Sequence, residues 1–210
     1  MNKKLFLVLG PESTGNHLTS RVLNNMGCFW EENQKLIIDR FTRGECELKD
    51  ITENPNIVLR RSVPYEHEWP DPVRYRKLFA GEGYKMYTII LQREWMAAIL
   101  SQYYHRSATV EVAWDTLVKA EKHISKYISD GSVDPFYVLN TSTLMKDPEP
   151  VIRGLEVFTG LKWPIDIRYE SVVKDPDINR HELLLNEGFK SHNRAIHHKY
   201  FKNRKPLVIR

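Results

Sequence analysis

One segment, LFLVLGPESTGNHLTSRVLNNMG, constrains this chain more than any other. An apolar run from Leu5 to Leu9 stops at Gly10-Pro11, and helix-forming residues resume after Gly15. A strand that passes through a glycine-rich turn into a helix gathers several backbone N–H groups around one point, where the helix N-terminus adds positive partial charge. An anion can sit there without a lysine, and a turn of this kind can also be no more than a turn. The candidate anion-binding residues are Gly10, Pro11, Glu12, Ser13, Thr14, Gly15, Asn16 and His17. The nucleotide-hydrolase pattern G-x-x-x-x-G-K-[ST] needs Lys for the outer phosphates and a hydroxyl for magnesium, and Asn16 and His17 stand at those two positions. Metal-assisted ATP or GTP chemistry is disfavoured on that ground.

Around this loop, short apolar runs alternate with helical patterns. Strands are expected at 5–9, 56–62, 86–92 and 136–140, and three of them are nearly continuous apolar runs, as a sheet covered on both faces requires. Helices are expected at 17–26, 72–81, 94–105, 110–128 and 149–160. In the fourth helix Val112, Thr116, Leu117, Ala120, Ile124, Tyr127 and Ile128 recur at helical spacing and form the expected core face. The alternation predicts an α/β, three-layer, P-loop-like fold with a central, mostly parallel sheet. At 210 residues it is read as one domain, 1–210. Residues 31–56 match no single element and read either as a substrate-facing insertion or as a surface connection with some helix.

Several classes drop out. The two lysines before Leu5 imitate a secretory leader, but the apolar run is short and lacks a small-residue cleavage site. No stretch is long enough to span a bilayer. Cys28 and Cys46 have neither metal-ligand nor redox spacing, which fits a reducing, cytoplasmic setting. His197 and His198 have no carboxylate or cysteine partner at ligand spacing, so no metal is expected. A net charge of +4 suits a protein that handles anions. Basic and aromatic residues do not interleave along a strand, which argues against a nucleic-acid partner.

In MYTIILQREWMAAILSQYYH a buried strand runs into Arg93, and Ser101 follows eight residues later in a helix. This resembles the 3'-phosphate site of sulfotransferases that use 3'-phosphoadenosine 5'-phosphosulfate, whose helix commonly carries Ser-Tyr-Tyr-His where this chain has SQYYH. GPESTGNH aligns without a gap to the 5'-phosphosulfate loop of the carbohydrate sulfotransferases, Gly-Pro-x-Lys-Thr-Gly-Thr-Thr. FYVLNTSTLMKDPEPVIRGLEVFTGL is similar to the end of that family's core, with its Leu-x-x-Asp-Pro and Phe-x-Gly-Leu. The resemblance covers most of residues 4–161.

The resemblance implies that Gly10 to His17 grip the 5'-phosphosulfate and that Arg93 and Ser101 hold the 3'-phosphate. It implies phosphoadenosine phosphosulfate as co-substrate and a hydroxyl or amine of a small molecule or glycan as acceptor. Ser13 stands where the family's loop lysine stabilises the leaving phosphate, so His17, Arg60 or Arg61 is expected to take over. The base is expected after the second core strand, at His67 first and Glu66 second. Among the late basic residues, Arg194, Lys199, Lys202, Arg204 and Lys205 are further anion candidates, without a match to the family's late loop. A P-loop kinase of small molecules or nucleosides and a non-catalytic nucleotide-binding protein are the alternatives.

Overall fold

A computed structural model of the chain describes residues 3–30, 37–64, 68–106 and 109–173. Strand β1, Lys3–Pro11, leads to helix α1, Asn16–Asn25. Next come α2, Ile37–Thr42, a 3-10 turn at Leu48–Asp50, and β2, Asn56–Val63. Helix α3, Pro72–Gly81, precedes β3, Tyr84–Gln92, which is followed by α4, Trp95–Arg106, and α5, Val110–Ser129. Strand β4, Phe136–Asn140, then gives way to α6, Thr141–Lys146, α7, Pro148–Thr159, and α8, Tyr169–Val173.

The four strands form one parallel sheet in the order β2-β1-β3-β4. Strand alternation divides β1 between two cores. Leu5, Leu7 and Leu9 pack with Phe79 of α3, Ala120 and Ile124 of α5, and Ile38 and Phe41 of α2. Phe6 and Val8 pack with Val22 and Leu23 of α1 and with Ile152 and Leu155 of α7. The result is an α/β/α sandwich, as the continuous apolar runs predict. No helix among the described residues is long and apolar enough to cross a membrane.

Two expectations need revision. Val112 is 55% exposed, because the face that α5 buries runs through Ala113, Leu117, Ala120 and Ile124 instead. Within 31–56, Ile38, Phe41 and Leu48 are buried in the sheet's core, so this stretch is more than a surface connection. Its Asp39 lies 2.5 Å from the Arg61 guanidinium, and both side chains are sealed from solvent.

Candidate functional site

The chain leaves β1, adds β2 on one side, and returns to add β3 on the other. In open parallel sheets such a reversal leaves a crevice at the carboxyl ends of the two flanking strands, and ligands bind there. Here those ends are the loop after β1 and Arg93 after β3.

The loop's shape has local causes. A Cβ on Gly10 would lie 2.7 Å from both Leu91 Cβ and Thr14 Oγ1, so only glycine lets β1 approach β3 this closely. Gly15 has φ +94, and a Cβ there would meet Thr141 Cγ2 at 2.7 Å. Thr141 opens α6 and donates its hydroxyl to the Gln92 carbonyl at 3.1 Å, tying the ends of β3 and β4 together. Ser13, at φ 64, is the one non-glycine among the described residues in the left-handed region. That conformation costs a non-glycine residue on the order of 1 kcal/mol.

Three consecutive carbonyls of this turn are held by side chains. The Pro11 oxygen accepts from Thr14 Oγ1 at 2.6 Å and from Asn16 Nδ2 at 3.1 Å. The Glu12 oxygen accepts from Gln102 Nε2 at 3.1 Å, and the Ser13 oxygen from Arg93 Nη1 at 2.9 Å. In a trans peptide the N–H points opposite the C=O, so fixing these carbonyls also fixes where the loop's amides point. Helices α3, α5 and α6 close their N-termini with Asp71, Thr109 and Asn140 side chains, whereas α7 after Asp147 has no side-chain cap, and neither has α1, with Gly15 at its N-cap. Its first-turn amides have no intrahelical acceptor, the arrangement that favours an anion.

The structure places the expected residues as follows. Gly10 to His17 form the strand-to-helix turn, and Arg93 reaches it from β3. Ser101, 8% exposed, lies on α4 beside Gln102. Asn16, at the position of a nucleotide-hydrolase lysine, is 5% exposed and bonded back to Pro11, so it extends no side chain toward outer phosphates. The His17 ring meets Trp30 edge-on, with centroids 4.9 Å apart.

Arg61 does not fit the role of the missing lysine. It pairs with Asp39, donates to Tyr75 Oη at 3.1 Å and faces α2, away from α1. Arg60 lies on the opposite face, that of Val58 and α1, in register with Val8. It is half-buried, and among the described residues no side-chain hydrogen bond or ion pair engages its guanidinium. Glu66 and His67 lie outside the described residues, as do the late basic candidates Arg194, Lys199, Lys202, Arg204 and Lys205. No group of three or more His, Cys, Asp or Glu able to hold a metal occurs among the described residues.

Sequence reasoning did not single out Gln102 or Thr141. The first carries no signal of its own within SQYYH, and the second has none beyond its place after a strand.

No family model matches the chain, and no curated protein sequence matches it. Among solved structures it is similar to the sulfotransferase domain from the Synechococcus PCC 7002 olefin synthase, with a TM-score of 0.53 and 15% identity. That match covers 100% of this chain and 91% of the other. At this identity the likeness is one of fold.

Proposed function

We propose that the chain transfers a sulfuryl group from 3'-phosphoadenosine 5'-phosphosulfate to a hydroxyl or amine of a small molecule or glycan. The observation that carries this reading is the lysine-free turn whose carbonyls are tied back by side chains, with Arg93 arriving from the neighbouring strand. The sulfotransferase fold of its structural neighbour supports it.

In this reading the amides of Glu12 to His17 and the α1 N-terminus hold the 5'-phosphosulfate. Arg93 and Ser101 hold the 3'-phosphate. His67, or Glu66, takes the acceptor's proton as its oxygen or nitrogen attacks sulfur. The bond between sulfur and the bridging oxygen breaks, its electron pair stays with the 5'-phosphate, and adenosine 3',5'-bisphosphate leaves. Negative charge grows on that bridging oxygen, and a cation aimed there stabilises the transition state more than the ground state. Arg60 is the residue proposed for that task in place of a loop lysine.

A thermal-shift titration with adenosine 3',5'-bisphosphate, AMP and magnesium ATP tests the reading. Selective stabilisation by the bisphosphate is expected, about 2.7 kcal/mol at a hundredfold excess over Kd. Arg93→Ala should abolish it. Preferential stabilisation by magnesium ATP would replace this reading with a kinase, and bisphosphate binding with no turnover on any acceptor would leave a nucleotide-binding protein.

A further inference from the structure

We infer that Gln102 is a positioning residue that couples the two ends of the donor site, an inference that rests on the donor reading above. Its side chain is 4% exposed and follows the buried apolar run Ala98, Ile99 and Leu100 along α4. A buried amide is costly unless it is bonded. This one crosses from α4 to the loop and donates to the Glu12 carbonyl at 3.1 Å.

The consequence follows from peptide geometry. Glu12 C=O and Ser13 N–H belong to one planar unit, so holding the oxygen toward α4 turns the Ser13 N–H away from it. Of the side chains that hold the loop's three carbonyls, Thr14 and Asn16 act from within the turn itself. Arg93 is proposed to touch the donor directly. Gln102 acts from outside the turn, and its amide nitrogen bonds a backbone carbonyl. It also stands next to Ser101, so the helix that offers a hydroxyl to the 3'-phosphate is the helix that orients a 5'-side amide. Seating the 3'-phosphate on α4 therefore favours the loop geometry that receives the 5'-group, a positive coupling between the two subsites.

Calorimetric or fluorescence titrations with adenosine 3',5'-bisphosphate, 3'-AMP and 5'-AMP separate the two ends. Gln102→Met keeps the length and loses the donor, whereas Gln102→His can keep an uncharged N–H donor at Nε2. In Gln102→Met, affinity for 5'-AMP should fall about tenfold, affinity for the bisphosphate should fall further because the coupling is lost as well, and 3'-AMP should stay within about twofold, whereas Gln102→His should retain most of the wild-type affinity. Equal losses for the bisphosphate and 5'-AMP overturn the coupling, and so does a change in all three ligands alike or in none. Wild-type protein that binds none of the three overturns the donor reading together with it. Wild-type binding with an unchanged Gln102→Met removes the coupling alone.

Discussion

At the scale of single residues, the proposed sulfuryl transfer calls for a cation beside a loop that lacks lysine. His17 has its ring against Trp30, and Arg61 is tied to Asp39. Arg60 remains, half-buried on the α1 face of β2. Arg60→Ala should therefore lower kcat of sulfuryl transfer about 10²–10³-fold, the usual effect of deleting a group that stabilises developing charge, with a smaller loss in His17→Ala. Steady-state rates decide it, and the reverse order would return the role to His17. Both residues are candidates from sequence, His17 as a titratable ring at the helix N-terminus and Arg60 as an arginine from elsewhere in the chain. The sequence could not separate Arg60 from Arg61, since adjacent residues of a strand point to opposite faces and only the packed helices say which face is which. Nor could it foresee Ser13 in a left-handed conformation, which Arg93 helps hold from a distant part of the chain.

At the scale of elements, strands and long helices were legible because continuous apolar runs and 3.6-residue periodicity are strong local signals. The short elements were not. Six residues of α2 carry no readable period, and their place in the fold depends on a tertiary contact, the buried pair of Asp39 with Arg61. The six residues TSTLMK carry no readable period either, yet Asn140 accepts from Thr143 N at 3.0 Å and caps them as a helix. Breaking the α2–β2 pair should be expensive, because it strands a charge in a dry setting. Asp39→Ala is expected to cost about 3–5 kcal/mol of unfolding free energy by urea titration, and an Asp39→Leu, Arg61→Met double variant should recover most of it. A double variant as unstable as the single one would show that the rest of the Arg61 network, including Tyr75 Oη, matters more than the charge pair.

For the whole molecule, the parallel sheet was readable from the alternation of elements, whereas the strand order was not, since pairing is decided by long-range contacts. One global property follows from α5. His123 stacks on Trp69 with centroids 3.6 Å apart, and burial, then the neighbouring Lys126, holds its pKa below the ordinary 6.5. The unfolded chain takes up a proton near 6.5 that the folded chain resists, so this contribution is level above that pH and falls as pH drops through it. Unfolding curves at about pH 7.5 and about pH 5.5 should show His123→Phe gaining on the wild type as the solution is acidified. A constant gap between the two proteins would mean that His123 titrates alike in both states. The ties across the loop have another consequence, for synthesis rather than catalysis. The groups that hold the Ser13 and Glu12 carbonyls lie 80 and 90 residues further along the chain. A nascent polypeptide that has made only β1, α1 and β2 contains every residue of the turn and none of these distant anchors. In the proposed reading, donor binding therefore waits until β3 and α4 have emerged and docked, and a ligand that recognises the finished loop selects chains that extend at least through α4.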